Sequence, residues 1–146
     1  MAVEIDTVLV PVDGSDQSTK ALEYAVAVAD RYGASVHALY VLQEGLVRGI
    51  EAGDVDEETV AAEHEALMET AAEMAGDVPI SHSTSAGFSP SRLRQHPGSV
   101  VLDAAEEIDV DFIVVPREIP TGDPAEVLGK SAQYVLEYAS QPVLSV

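Results

Sequence analysis

Seven cationic side chains stand against 26 acidic ones in this 146-residue chain, and the positions of those seven are its first chemical signal. Arg48, Arg92, Arg94 and Arg117 all follow runs that read as strands, and Lys130 precedes the last helical pattern. Only Lys20 and Arg31 lie elsewhere. Guanidinium and ammonium groups gathered at one edge of a fold can hold an anion, phosphate above all, through charge-assisted hydrogen bonds. The same groups can instead pair with surplus carboxylates in loops or at an interface. Both readings stay open.

Gly129-Lys130-Ser131 has the ending of a phosphate-cradling loop, G-x-x-x-x-G-K-[ST]. The first glycine of that pattern would fall at Pro124, which lacks both the N–H and the conformational freedom, and Gly122 comes two residues too early. A true P-loop is therefore rejected. A helix beginning near Gly129 can still present free N–H groups and its dipole to an anion. Asp123-Pro124-Ala125-Glu126 fits a short turn before it, with an acidic cap and proline at the first helical position. Asp13 stands at the end of the first strand, where it can read a base or ribose or cap the following helix. The histidines His37, His64, His82 and His96 show no metal-ligand spacing, and no serine sits in a G-x-S-x-G elbow. No catalytic set is apparent.

The elements that must position these groups are periodic. Thr7–Val12 reads as a strand, stopped at Asp13-Gly14-Ser15, with Ser15 or Asp16 to cap a helix. Leu22, Ala25, Ala29 and Tyr32 recur at helical spacing and Gly33 closes that helix. A second strand spans Ser35–Val41, and a flexible stretch leads to a long acidic helix from about Asp54 to Ala75. Its inward stripe is Val60, His64, Leu67, Ala71 and Met74 or Ala75. Ile80–Ala86 is a polar strand, suited to a sheet edge. The loop 87–98 carries Arg92 and Arg94. A helix from about Ser99 to Ile108 follows, then the apolar strand Phe112–Val115. The last helix carries Ala132, Val135, Leu136 and Ala139, and Pro142–Val146 is a terminal strand. Strands alternating with helices imply an α/β fold, a parallel sheet with right-handed crossovers and helices on both faces. Ligands in such sheets bind beyond the carboxyl ends of the strands. The apolar last strand has an unblunted edge, which predicts a homodimer built on Val143, Leu144, Ser145 and Val146.

Composition bounds the rest. With 47% apolar residues and no cysteine, the chain is read as one globular domain over residues 1–146, without disulfides or thiolate zinc. The formal net charge of −19 repels nucleic acid and anionic lipid, so neither is expected as a partner. Acids spread over periodic segments, with only Lys20 and Lys130 as lysines, predict a halophilic protein of a salt-rich cytosol. There, screening within about 3 Å at 1 M salt suppresses self-repulsion. Met1-Ala2-Val3-Glu4 shows no basic, apolar leader, and no apolar run approaches the roughly 20 residues needed to cross a membrane. A cytoplasmic location is expected.

Val8-Leu9-Val10-Pro11-Val12-Asp13-Gly14-Ser15, followed by a helix with Ala21-Leu22 and Ala25, resembles the opening of a universal stress protein. Phe112-Ile113-Val114-Val115 is similar to that family's fourth strand, and Gln141-Pro142-Val143-Leu144-Ser145-Val146 to its closing one. The resemblance covers nearly the whole chain. It implies a Rossmann-like domain with five parallel strands in the order 3-2-1-4-5, dimerisation through the last strand, and a role in stress survival. It also implies a nucleotide cofactor, ATP or another, with Pro11, Val12, Asp13 and Val41 at the adenine and ribose positions. The family's phosphate motif is G-x-x-G, nine residues, then G-[ST]. Aligned on Gly129, this sequence has Pro116 and Ile119 at the first two glycines and Lys130 where Ser or Thr belongs. Glycine there lets backbone approach phosphate closely, and proline also removes a donor. Arg117, Lys130 or Ser131 could compensate in a shifted loop, and Arg92 and Arg94 lie in a stretch longer than usual for the family.

Three readings follow. The first is a non-enzymatic, dimeric stress protein whose ATP binding is weak, lost or replaced by another anionic ligand. The second is a functional ATP binder with a rearranged phosphate loop and at most slow hydrolysis. The third is a pure interaction module with an unknown protein partner and no ligand.

Overall fold

A computed structural model of the protein describes residues 3–42, 49–54, 56–86, 97–117 and 131–146. Strands and helices alternate along them: β1 Thr7–Val12, α1 Asp16–Tyr32, β2 Ser35–Leu42, α2 Glu57–Ala75, β3 Ile80–Ala86, α3 Pro97–Ile108, β4 Phe112–Val115, α4 Ser131–Tyr138 and β5 Val143–Ser145. A further helical turn occupies residues 49–52. Every strand pair is parallel, and the sheet order is β3-β2-β1-β4-β5. The polar strand β3 is an edge strand, as its serines predict, and β5 is the other edge.

The alternation of side chains along a strand sends successive residues to opposite faces. Val8, Val10 and Val12 therefore join one core, with Val36, Ala38 and Tyr40 of β2, Leu22, Ala25 and Ala29 of α1, and Ala71 and Ala75 of α2. Leu9 joins the other, with Leu39 and Val41 of β2, Ile113 and Val115 of β4, Val101 and Ala105 of α3, and Ala132 and Val135 of α4. The sheet is thus covered on both faces, which is why its central strands are nearly continuous apolar runs. Leu9, Leu22, Leu39 and Ile113 are essentially fully buried; removing a side chain of that size from water is worth roughly 1.5–3 kcal/mol.

The helix ends follow local chemistry. Ser15 caps α1 by accepting a hydrogen bond from the Ser18 N–H. Gly33 ends α1 at φ 67°, ψ 30°, a left-handed conformation that costs glycine no Cβ clash. Helix α2 begins at Glu57 rather than near Asp54, because the Asp56 carboxylate accepts from the Glu58 N–H at 3.1 Å and sets the start. Helix α3 begins at Pro97 rather than Ser99; proline at the first helical position sacrifices only an N–H that has no intrahelical acceptor.

Two side chains on these helical patterns are exposed. Tyr32, the last residue of α1 before the Gly33 cap, is 51% exposed. Leu136 is 52% exposed, because Val135 takes the inward direction and adjacent helical residues point about 100° apart. Of the expected flexible stretch with Gly45, Gly49 and Gly53, residues 49–52 instead form the helical turn, and residues 43–48 lie outside the described residues, as do the turn at Asp123–Glu126 and the Gly129-Lys130 step.

Candidate functional site

In a sheet of this order, β1 has β2 on one side and β4 on the other, so the connections diverge between β1 and β4 and leave a crevice at their carboxyl ends. The described segments that emerge there are Asp13–Ser15 after β1 and Pro116–Arg117 after β4, and β2 ends at Leu42. Pro11, Val12, Val41 and Pro116 are buried at this end of the sheet, Asp13 is half-buried and Arg117 is exposed. The fold therefore brings those residues to one edge. Ser131 is the first residue of α4. Arg92, Arg94, Gly129 and Lys130 lie outside the described residues.

Asp13 has a visible local task. Its Oδ1 accepts from the Ser15 N–H at 2.9 Å, and its own N–H donates to Ser18 Oγ at 3.2 Å. Ser18 Oγ in turn donates to the Ser15 carbonyl at 3.0 Å. These bonds fold the β1–α1 turn back on itself, with Gly14 at φ 85°. Tyr40, in register with Val12, has its phenol pKa raised by burial and further by the charges of Glu63 and Asp13. Arg117 is fixed through its backbone, whose N–H donates to the Val146 carbonyl at 2.7 Å. Ser145, in register with Val115, has a buried Oγ with no hydrogen-bond partner among the described residues.

A second polar set lies away from this edge, on β2 and β3, and no spacing within the sequence reveals it. His37, 9% exposed, has Ser81 Oγ 2.8 Å from Nδ1 and Ser83 Oγ 2.8 Å from Nε2. Burial, and then the neighbouring His82, hold its pKa below the ordinary 6.5. On the opposite face of the same strands, His64 of α2 rests against Tyr40, with ring centroids 4.7 Å apart, and against His82 at 5.4 Å. Its Nε2 is 3.5 Å from Thr84 Oγ1, while its buried Nδ1 has no partner among the described residues. Burial lowers its pKa as well, His82 adds to the effect and Glu65 opposes it. The signal was the alternation Ser81, His82, Ser83, Thr84, which acquires meaning only once β3 is set in register beside β2. Among the described residues, no group of three or more histidines and carboxylates is placed to hold a metal ion, and no helix is long and apolar enough to cross a membrane.

Comparison with known proteins gives a consistent result. The profile of the universal stress protein family matches residues 4–146. A universal stress protein of Methanocaldococcus jannaschii is 28% identical over 142 residues, spanning 95% of this chain and 80% of the relative. Among solved structures, the universal stress protein UspA from Lactobacillus plantarum superposes with a TM-score of 0.73 at 22% identity, covering 99% of each chain. A universal stress protein from Archaeoglobus fulgidus in complex with dAMP superposes at 0.59 with 21% identity, covering 99% of this chain and 98% of that one.

Proposed function

The chain belongs to the universal stress protein family, and from that premise we propose that it is a non-enzymatic stress-response module whose nucleotide crevice has diverged from ATP. The domain is the whole of residues 1–146, working as a homodimer in the cytoplasm of a salt-adapted cell. The crevice lies between β1 and β4. We assign the base and ribose to Pro11, Val12, Asp13 and Val41, and the phosphate to Pro116, Arg117, Gly129, Lys130 and Ser131 together with Arg92 and Arg94. The ligand is an anion held by guanidinium groups, with ATP bound weakly or not at all.

The observation that carries this reading is Pro116. It is buried directly after β4, and alignment of the family's phosphate motif on Gly129 sets it against the motif's first glycine. A proline offers no N–H to a phosphate oxygen and keeps its ring between backbone and ligand. Charge must then replace backbone donors, and Arg117 follows immediately. The second reading, a competent binder of adenine nucleotides, is favoured by the dAMP complex of the Archaeoglobus fulgidus relative.

Calorimetric titration with ATP, AMP and cyclic AMP, on protein purified in molar KCl, separates the two. Absent or weak ATP binding supports a diverged crevice. Saturable micromolar ATP binding would instead mean that the loop has rebuilt a phosphate site without the usual glycines. Mass spectrometry of ligand carried through purification identifies the anion. The net charge of −19 further predicts a melting temperature that rises with KCl as self-repulsion is screened.

A further inference from the structure

The core facing α3 and α4 is close-packed over β1 and β4 and hollow over β2 and β3. A cavity of about 390 Å³ opens there between the sheet and one face of α3. Its α3 wall is Val100, Asp103, Ala104, Glu107 and Ile108, a spacing of three and four that is one side of a helix. The hollow has a plain cause. Where β1 and β4 present Leu9, Ile113 and Val115 to the helices, β3 presents serine hydroxyls, which are too short to reach α3. Its floor is His37, Leu39, Ser83 and Thr84.

We propose that this cavity is a binding site for a small organic cation, an aliphatic amine whose ammonium group lies between the α3 carboxylates and the His37–Ser83 floor. The chemistry of the lining selects that class. Asp103 and Glu107 are exposed and one helical turn apart, and the C-terminal end of α3 at Ile108 adds its partial negative charge beside them. The described cationic residues are remote: Lys20 and Arg31 are on α1, which covers the other face of the sheet, and Arg117 follows β4. An anion is repelled from such a pocket, so the site is independent of the proposed nucleotide crevice.

The floor contributes acceptors without adding positive charge. A neutral imidazole donates through one ring nitrogen and accepts through the other. Of Ser81 and Ser83, one therefore donates to the ring and the other accepts from it. Ser83 lines the cavity and keeps an oxygen lone pair for a ligand N–H in either arrangement. Leu39, Val100, Ala104 and Ile108 supply an apolar wall for a short hydrocarbon body. Protonation of His37 would place a like charge under the ammonium. The groups facing that ring are Ser81 and Ser83 from β3 and, across the cavity, Asp103 and Glu107 from α3, with His82 on the far side of the sheet.

The test uses 1,4-diaminobutane as the probe and butane-1,4-diol as its neutral counterpart, titrated into the full chain in KCl sufficient to keep it folded. One saturable site is expected for the diamine and none for the diol. Asp103→Asn with Glu107→Gln should weaken binding by about tenfold or more, the loss of charge-assisted contacts. Glu69→Gln with Glu73→Gln, exposed on α2 over the opposite face, should leave it unchanged. Binding should also fall on acidification through the His37 titration. Circular dichroism establishes that both double variants are folded, and amide chemical-shift changes in the wild type should concentrate on β3 and α3. Absence of saturation, equal binding of the diol, equal loss in the α2 variant, or shifts spread over the acidic surface would each overturn the proposal.

Discussion

Thr7 and Asp111 hold each other from 104 residues apart: the Thr7 N–H donates to Asp111 Oδ2 at 3.1 Å, and the Asp111 N–H donates to the Thr7 carbonyl at 3.0 Å. The same carboxylate oxygen accepts from the Asp6 N–H at 2.9 Å. One side chain therefore satisfies two backbone donors at the start of β1 and sets where β4 joins it, at the strand pair that bounds the proposed crevice.

Asp111→Ala should consequently destabilise the fold by about 1–2 kcal/mol, towards the lower part of the range for hydrogen bonds to a charged group because the site is partly exposed. Asp111→Asn keeps an acceptor oxygen and should cost less. Denaturant midpoints at fixed KCl concentration check both. Equal midpoints for wild type and Asp111→Ala would remove the carboxylate from the account of how β1 and β4 are registered.

Gly98 marks the crossing of α3 over α4. A Cβ built there would lie 2.7 Å from Tyr134 Cδ1, 2.8 Å from its Cβ and 2.9 Å from its Cγ. Because Cβ is among the close atoms, no rotamer of Tyr134 clears the clash, so Gly98→Ala must push the helices apart. A loss of about 1–3 kcal/mol is expected, as for other overpacked sites. The double variant with Tyr134→Ala should recover only part of it, since that residue keeps its Cβ. Full recovery would show that the ring alone sets the spacing.

Much of this architecture was legible beforehand, and the reason is local. Ser15, Gly33 and Gly76 end or start their helices through their own backbone chemistry, and β1 and β4 are apolar runs whose burial on both faces needs no partner to be inferred. The serines of β3 announced an edge. What escaped was pairwise. His37 meets Ser81 and Ser83 only through the β2–β3 register, which no spacing within either strand encodes. Leu136 and Val135 are equally apolar, so which one faces inward depends on how α4 docks. Of the proposed crevice, Pro11, Val12, Asp13, Val41, Pro116 and Arg117 fall at one sheet edge as the strand ends require. From sequence, Asp13 could read a base or ribose or cap the helix, and only the geometry shows its turn-forming bond to the Ser15 N–H.

That bond gives Asp13 a split prediction. Asp13→Ala removes the acceptor for the Ser15 N–H and should cost about 0.5–1.5 kcal/mol, as well as any nucleotide bound at the β1 end. Asp13→Asn retains an oxygen for the turn, so its stability should stay near wild type while ligand affinity drops if the carboxylate reads a ribose. Thermal melts and calorimetry on the two variants separate the roles. A fully retained ligand affinity in a folded Asp13→Ala protein would confine Asp13 to the turn.

Acid should loosen the β2–β3 edge. His37 and His64 both have folded-state pKa values lowered from 6.5, chiefly by burial, so the unfolded chain takes up protons first as pH falls. The stability associated with neutral imidazoles is complete above 6.5 and is lost as pH drops from there through the folded values. Melting temperatures between about pH 7.5 and about pH 5.5, the span in which histidine titrates, should decline. The decline should be shallower in His64→Leu, which removes a buried ring whose Nδ1 has no partner among the described residues, and in His37→Gln. An unchanged slope in both variants would assign the acid response to carboxylates.

The outer edge of β5 is where a second copy should pair. Ile113 N–H donates to the Pro142 carbonyl and Val146 N–H to the Val115 carbonyl, so the backbones of residues 142, 144 and 146 face β4. Alternation then turns the N–H and C=O groups of Val143 and Ser145 outward, on a strand with no neighbour on that side in the sheet order. Edge groups of this kind recruit another strand unless they are blunted, and neither residue carries a charge. Ser145→Pro deletes one outward donor and leaves the β4 ladder untouched. Proline is tolerated on an edge strand and keeps the preceding Leu144 extended. Light scattering in molar KCl should find a dimeric wild type and a monomeric, folded Ser145→Pro protein. A variant that stays dimeric would move the interface elsewhere, and the exposed Tyr138 and Leu136 of α4 would be the next surface to mutate.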